Sequence, residues 1–159
     1  MNAMVSDRMA ESVALVGGLG RVGPAPGTVA SLATIPIGVA LHVLGGAVAV
    51  GVAVACVVAC GWWSAERYGR LTGRHDAPEV VVDEVAGMLV PLAAAGSDIV
   101  LVLVAFGLFR LLDIVKPFPI SWLDTKVPGG LGVMADDLAA GCLATAGTLG
   151  LGVLRDAWF

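Results

Sequence analysis

Five apolar segments, separated by short polar or glycine-rich stretches, make up most of this chain. Their approximate bounds are 29–44, 47–63, 80–95, 99–115 and 138–154. A helix needs about 20 residues to cross a bilayer, with roughly 17 as a lower limit, so the first and third segments are marginal and could be short, tilted or partly inserted. The pattern predicts an all-α polytopic membrane helical bundle with about four to five membrane-associated helices. At this length it predicts a single domain, 1–159, with a polar N-terminal segment at 1–16.

Glycines and basic residues predict the path of the chain. Gly45-Gly46 is expected to turn it between the first two segments, and Gly96-Ser97 between the third and fourth. Two such hairpins bring most basic residues to one end, namely Arg8, Arg21, Arg67, Arg70, Arg74, Lys116 and Lys126. Only Arg155 falls at the other end. Under the positive-inside rule, the basic end is predicted to face the cytoplasm.

Composition supports a membrane protein and excludes a nucleic-acid partner. The chain is 58% hydrophobic and only 14% charged, whereas soluble domains carry about a quarter charged residues. The net charge of -4 leaves no basic stripe for phosphate backbones. A charge at membrane depth costs roughly 2.5–3.5 kcal/mol or more. Because most carboxylates gather at segment ends on the predicted cytoplasmic face, we expect a compensating divalent cation.

The first candidate motif is glycine-rich. Gly18, Gly20 and Gly23 spell G-x-G-x-x-G, but prolines follow at once, so a dinucleotide site is not expected. A glycine-rich loop at a helix start predicts an oxyanion cradle, in which its free N–H groups act with the hydroxyls of Thr28 and Ser31. The alternative, which is compatible with it, is a plain loop with Thr28 as the helix N-cap.

The second motif is the acidic stretch HDAPEVVVDEVAG. Glu79 lies about one helical turn before Asp83 and Glu84, so Glu79, Asp83 and Asp76 are expected to face one direction. Oxygen-only ligands suit a hard cation such as Mg²⁺. The alternative is a solvated set of acids that complements a helix N-terminus. His75 is a weaker site candidate.

The third motif, FRLLDIVKPFPISWLD, combines cations with acids. Arg110, Asp113 and Lys116 are spaced i, i+3, i+6, which predicts that they share one helical face. Prolines then end the helix. Arginine and lysine beside carboxylates indicate a site for both a metal and a phosphate. A structural ion triad is the alternative.

The fourth motif, GGLGVMADDLAAG, precedes the last apolar segment. Its glycines predict a mobile or close-approach loop at 129–132, after which Asp136-Asp137 opens the segment. Adjacent acids point in different directions on a helix. One of the two can therefore ligate a metal while the other caps a helix or pairs with a cation.

The four motifs in this order resemble the phosphatidylglycerophosphatase A family over about residues 17–142. The blocks F-R-x-x-D-x-x-K-P-x-P-I and G-G-x-G-x-M-x-D-D-x-x-A-G are long enough to be specific. The resemblance implies a Mg²⁺-dependent phosphatase of the bacterial inner membrane, with its active site facing the cytoplasm. Such an enzyme removes the terminal phosphate of phosphatidylglycerophosphate to give phosphatidylglycerol. A homo-oligomer is left open.

The resemblance and the residue chemistry together assign roles. The expected metal ligands are Glu79, Asp83, Glu84, Asp136 and Asp137. The expected substrate-binding residues are Thr28, Ser31, Arg110 and Lys116. The expected catalytic residues are Asp83, Asp113 and Asp137, of which Asp83 or Asp137 would orient water or act as general base. Attack by an aspartate itself stays open.

Two other classes of function are weighed against this one. A cation- or proton-coupled transporter would place carboxylates near the middle of helices and on both sides of the membrane. Their clustering on one predicted face disfavours it. A non-catalytic membrane subunit is the third candidate, and phosphate release by the purified chain would exclude it.

Overall fold

The computed structural model describes residues 2–74 and 77–158. It consists of helices and their connections, and these described residues contain no strand. The helices are α1 (Asn2–Ala14), α2 (Pro26–Thr72), α3 (Val82–Ala95), α4 (Ile99–Val115), α5 (Ile120–Lys126) and α6 (Gly129–Trp158), with a 3-10 helix at Val16–Arg21. The all-α prediction is confirmed. His75 and Asp76 lie outside the described residues.

Helix α2 is broken at the predicted turn. Gly45 (φ -151°, ψ 18°) and Gly46 (φ 64°, ψ -164°) leave the helical region, and a positive φ of this kind is easily adopted only by glycine. A Cβ placed on Gly27 would overlap Glu84, and one on Gly61 would lie 3.3 Å from Val82. Both halves therefore return to the start of α3, so α2 is a helical hairpin.

The second predicted hairpin is also confirmed. Helix α3 ends at Gly96, whose φ is 65°, and α4 begins with Asp98 as its N-cap. The Asp98 side chain accepts hydrogen bonds from Val100 N at 2.9 Å and Leu101 N at 3.2 Å. The bounds of α4 are those of the fourth apolar segment. An N-cap bond of this kind satisfies backbone donors that the first turn leaves open.

Helix α3 packs against α2, α4 and α6 and lies at the centre of the bundle. Its crossing with α6 is made by two glycines. A Cβ on Gly87 would lie 2.8 Å from Asp137 O, and one on Gly141 would overlap Gly87 O. Small residues allow two helix backbones to approach closely. Because Asp83 lies four residues before Gly87, and Asp137 four residues before Gly141, the crossing brings these two acids together.

Two helices, Pro26–Thr72 and Gly129–Trp158, are long and apolar enough to cross a membrane, by length and composition. Large apolar side chains are exposed on the outside of the bundle, among them Leu44 at 83% and Val48 at 77%. Helix α3 has 14 residues and α4 has 17. The prediction of about four to five membrane-associated helices stays a prediction.

The helices extend beyond the apolar segments marked in the sequence. The polar N-terminal segment forms α1, which buries Ala10 and Ala14. The second apolar segment continues as helix to Thr72. The glycines at 129–132 are not a loop before the last helix, because α6 begins at Gly129. The close approach predicted for them is correct, since a Cβ on Gly130 would lie 2.5 Å from Trp62 O.

Candidate metal and phosphate site

A cavity of about 280 Å³ lies where the ends of four helices meet. Ala25, Pro26 and Gly27 line it from the start of α2. Its charged lining residues come from α3, α4 and α6: Asp83, Glu84, Arg110, Asp113, Lys116, Asp136 and Asp137. Seven of the ten residues to which the sequence assigned site roles therefore line one cavity.

Three carboxylates in this cavity are close enough to share one ion. Asp83, Glu84 and Asp137 each offer an oxygen, and these oxygens lie within 4.8 Å of one another. Asp83 and Glu84 occupy the first turn of α3, where the helix dipole favours negative charge. Asp137 lies two turns inside α6 and reaches the same point because of the glycine crossing with α3.

The donor set fits a hard divalent cation. Mg²⁺ binds oxygen ligands, usually through one or two carboxylates with the rest of its shell from water or substrate phosphate. Asp137 is 3% exposed, and its Oδ2 is buried without a hydrogen-bond donor among the described residues. A buried carboxylate oxygen without a donor is costly unless a cation compensates it.

Arg110 faces these acids from α4. Its side chain is 14% exposed, and Nη1 lies 2.7 Å from Asp113 Oδ2 and 3.7 Å from Glu84 Oε1. Within the described residues, neither Nε nor Nη1 makes a hydrogen bond of good geometry. A buried guanidinium whose N–H groups are not all hydrogen-bonded is suited to binding phosphate, because its planar fork donates two parallel hydrogen bonds to phosphate oxygens.

Lys116 joins the cavity to α5. Its Nζ donates to Asp124 Oδ1 at 2.8 Å and to Asp136 Oδ2 at 2.7 Å. Burial alone would lower the pKa of Lys116, but the hydrogen bonds to the two carboxylates raise it above its ordinary value. The proposed triad with Asp113 is not formed, since α4 ends at Val115 and Lys116 turns away in a left-handed conformation (φ 46°).

The paired aspartates of α6 divide between two contacts. Asp136 binds the lysine, and Asp137 joins Asp83 and Glu84. The sequence predicted that one acid would pair with a cation and the other would ligate a metal; the pair with a cation is confirmed, and ligation by Asp137 stays a prediction.

The structure does not bring Glu79 to this cavity. Its Oε1 accepts a hydrogen bond from Tyr68 OH at 3.0 Å and lies 3.7 Å from Arg74 Nη1. The expectation that Glu79 and Asp83 share a helical face was wrong, because Glu79 lies in a turn and α3 begins only at Val82.

Thr28 and Ser31 are not among the residues that line the cavity. Ser31 is fully buried and its hydroxyl donates to Gly27 O at 2.9 Å. The N-cap residue of α2 is Ala25, which makes no side-chain cap, so Thr28 is not the N-cap. What the start of α2 offers the cavity is its backbone.

The preceding glycine loop is not an open cradle either. Gly18 N and Gly20 N both donate to Leu15 O, at 3.0 and 3.1 Å. A Cβ on Gly20 would overlap the carbonyl of Glu79. At Gly20 the loop therefore packs against the segment that precedes α3, and a glycine there allows the two backbones to approach closely.

Two residues that contact the site were not assigned a role from the sequence. Asp124 is the second partner of Lys116, and Gly27 leaves room for the carboxylate of Glu84. Asp124 had been recognised only as the last residue of the third motif. The signal available for Gly27 was its position just before the predicted start of the first helix, but its contact with Glu84 could not be read from the sequence.

These features define a class of protein: an apolar helical bundle in which acids, an arginine and a lysine from several helix ends line one cavity. Sequence comparisons give the family. The family model described as phosphatidylglycerophosphatase A matches residues 12–151. Phosphatidylglycerophosphatase A of Haemophilus influenzae is 39% identical over 128 residues, covering 80% of this chain and 78% of that protein.

Further relatives agree in part. Phosphatidylglycerophosphatase A of Escherichia coli is 36% identical over 120 residues, covering 75% of this chain and 69% of that protein. A Bacteroides thetaiotaomicron protein, provisionally named a phosphatidylinositol-3-phosphatase, is 37% identical over 124 residues, covering 74% of this chain and 77% of its own. No solved structure matches the chain. The chain belongs to the phosphatidylglycerophosphatase A family, which confirms the resemblance, and by that membership it is a phosphatase.

Proposed function

We propose that this chain is a Mg²⁺-dependent membrane phosphatase that hydrolyses the terminal phosphomonoester of phosphatidylglycerophosphate to give phosphatidylglycerol. The observation that carries the proposal is the single cavity in which three clustered carboxylates face Arg110 and Lys116. The names of the Haemophilus influenzae and Escherichia coli relatives support the substrate.

The metal would be held by Asp83, Glu84 and Asp137, whose oxygens already lie within 4.8 Å of one another. When bound, Mg²⁺ supplies charge neutralisation of the phosphoryl group and lowers the barrier to attack by water. Asp136 contributes through Lys116, which it holds at 2.7 Å. Glu79 is left out of the proposed ligand set because its carboxylate pairs elsewhere.

The phosphate would be bound by the two cations of the cavity. Arg110 presents Nε and Nη1 without good hydrogen bonds to described residues, and Lys116 supplies a second positive charge. The start of α2, which has no side-chain cap, adds the positive end of a helix dipole. Together these groups stabilise charge that accumulates on the phosphoryl oxygens as the leaving group departs.

One carboxylate would position Arg110, and one of the proposed metal ligands would also accept a proton. Asp113 fixes Arg110 through its 2.7 Å contact. Asp83 or Asp137 accepts the proton of the attacking water as general base, since both line the cavity together with Arg110. Asparagine variants of Asp83 and Asp137 distinguish these two candidates for the base. The variant that lacks the base should lose the acidic limb of the pH–rate profile, and the other variant should keep it.

We place the cavity at the cytoplasmic face of a bacterial inner membrane. Most basic residues other than Arg155 lie at or near helix ends on the cavity side, as Arg67 and Arg70 in the last turns of α2 and Lys116 just after α4 illustrate. Arg155 instead pairs with Asp98 in the α3–α4 turn, at 2.7 Å. This distribution supports the orientation under the positive-inside rule.

Phosphate release by the purified chain in detergent tests the proposal. Wild-type protein should release phosphate from phosphatidylglycerophosphate with Mg²⁺ and stop on chelation, while Asp83→Asn, Asp137→Asn and Arg110→Gln lose at least about 100-fold in kcat/KM. Asp98→Asn is the matched control, because it removes a carboxylate at the opposite end. Phosphate release by Asp137→Asn at the wild-type rate would refute the assignment.

The same assay, run with lipids of different headgroup, measures which substrate the protein prefers. Phosphatidylinositol 3-phosphate belongs in the panel because one relative is named for it. A preference for that lipid would retain the site chemistry and overturn the proposed substrate. A transporter is not favoured, since five described carboxylates from three helices line one cavity and the Asp98–Arg155 pair at the other end is an ordinary ion pair.

A further inference from the structure

A second and larger cavity, of about 940 Å³, lies on the other side of the start of α6. It is lined by α1, the second half of α2 and the segment that enters α6, and it shares no lining residue with the catalytic cavity. Its volume is near the upper end for small-molecule sites. Most of the lining is apolar, with charged side chains at one margin, and we refer to it as the α2 groove.

The groove changes character along one face of α2. Ala59, Trp63, Arg67 and Arg70 are spaced by four, four and three residues, so they form one stripe. The stripe runs from apolar to aromatic to cationic. A phospholipid in a leaflet presents the same order, with acyl chains, then the interface, then a phosphate, and tryptophan favours the interfacial level.

The arginines of the groove are lightly held. Arg67 Nε donates to Asp7 Oδ1 at 2.7 Å, and Arg70 Nη2 donates to Glu66 Oε1 at 2.7 Å. The Arg70 side chain is 77% exposed and that of Arg67 is 36% exposed. Exposed ion pairs of this kind contribute only about 0–1 kcal/mol. Both guanidinium groups retain donors with which to bind a lipid phosphate, for which arginine has the matching geometry.

The groove and the catalytic cavity lie back to back on α6. Leu131 lines the groove, whereas Val133 and Asp137 line the cavity. Trp62 and Trp63 are 52% and 43% exposed on the groove side. A lipid in the groove would therefore contact the helix that carries Asp137 without entering the catalytic cavity.

We propose that the α2 groove binds one anionic diacyl phospholipid of the surrounding leaflet as a bound lipid that is not being hydrolysed. Its headgroup phosphate is held by Arg67 and Arg70, and its chains lie against Trp62, Trp63 and Leu131. Two aromatic side chains and two cations, placed in the order of a phospholipid, favour this occupant over a second protein copy. The proposal uses the membrane placement suggested above but not the hydrolysis, and its test reads binding without turnover.

Tryptophan quenching by brominated lipids tests the proposal. The chain has four tryptophans, so Trp122→Phe/Trp158→Phe leaves only the groove reporters, and Trp62→Phe/Trp63→Phe leaves two exposed reporters elsewhere as the matched control. Both proteins are placed in vesicles of unlabelled phosphatidylcholine with a small fraction of brominated phosphatidylglycerol. We expect the groove reporters to be quenched more than the control reporters, and more than by brominated phosphatidylcholine at the same fraction.

Arginine substitutions complete the test. In the groove-reporter protein, Arg67→Gln and Arg70→Gln should each weaken the preference for the anionic lipid about fivefold, the usual effect of one basic residue at an anionic membrane surface. Arg155→Gln, at the other end of the bundle, should not. Equal quenching of both reporter pairs would overturn the proposal, since the groove would then hold only bulk lipid. Equal quenching by both lipids, or shielding of Trp62 and Trp63 by a second copy, would overturn it as well.

Discussion

Replacing Asp137 by asparagine should stabilise the metal-free protein while abolishing its response to Mg²⁺. Asp137 shares the cavity with Asp83, Glu84 and Asp113. Two unit negative charges 4.8 Å apart, the limiting separation of the three ligand oxygens, repel by about 3.5 kcal/mol at an effective dielectric constant near 20. Arg110 offsets part of this repulsion. We therefore expect the free energy of unfolding without metal to rise by about 1–3 kcal/mol.

The opposite effect is expected when Mg²⁺ is present. A ligand at 100 times its Kd stabilises the folded state by about 2.7 kcal/mol, and this increment should disappear in Asp137→Asn because one of three carboxylate ligands is lost. Thermal unfolding in detergent, with chelator and with increasing Mg²⁺, measures both effects without an activity assay. Asp98→Asn is the control and should keep the wild-type response to Mg²⁺.

Two results would refute the reasoning. If Asp137→Asn unfolded more readily than wild type in chelator, the carboxylates would not repel one another as the geometry requires. If its unfolding temperature still rose with Mg²⁺ as in wild type, the ion would bind elsewhere. The two readings are independent of whether the substrate has been identified.

Three further predictions concern neighbouring residues. Arg110→Lys keeps the charge but loses the planar fork, so kcat/KM should fall about 10–100-fold at unchanged stability. Lys116→Met leaves buried Asp136 without its cation and should lower the free energy of unfolding by about 2–4 kcal/mol. The double variant Lys116→Met/Asp136→Asn should regain stability but not phosphate release. A double variant as unstable as Lys116→Met would contradict the pairing. Gly130→Ala places a Cβ 2.5 Å from Trp62 O and should cost about 1–3 kcal/mol by thermal unfolding, while Gly150→Ala in the same helix, with nothing within 4 Å, should cost nothing.

Much of the fold follows from the sequence because two kinds of signal are local. The length of an apolar run predicts the length of a helix, and a glycine pair predicts the position of a turn. The turn at Gly45-Gly46 and the bounds of α4 were therefore predicted correctly. Helix starts were harder. Helix α2 begins at Pro26 and helix α6 at Gly129, both before the apolar segments that predicted them. Small and polar residues can form the first turns of a helix whose apolar part is already packed.

The composition of the site was predictable, but its partners were not. Acids, arginine and lysine at segment ends indicated one cavity, and Asp83 and Asp137 were correctly placed together. Glu79 was placed in the wrong site and Lys116 was given the wrong partner, because each lies just outside a helix end, where periodicity no longer fixes the direction of a side chain. The pairing of Lys116 with Asp136 depends on the angle at which α4 meets α6, and no spacing within one segment contains that angle.

The polarity of the helices explains why these charges can gather beside an apolar bundle. Helices α2 and α3 both begin at the cavity, so the positive ends of their dipoles face Asp83, Glu84 and the proposed phosphate position. Helix α4 ends there, and the residue that follows it is Lys116, a cation at the negative end. The fold thus stabilises each sign of charge at the helix end that suits it. That leaves an excess of carboxylate only around Asp137, where no helix end compensates it, and this excess is what a divalent cation would neutralise.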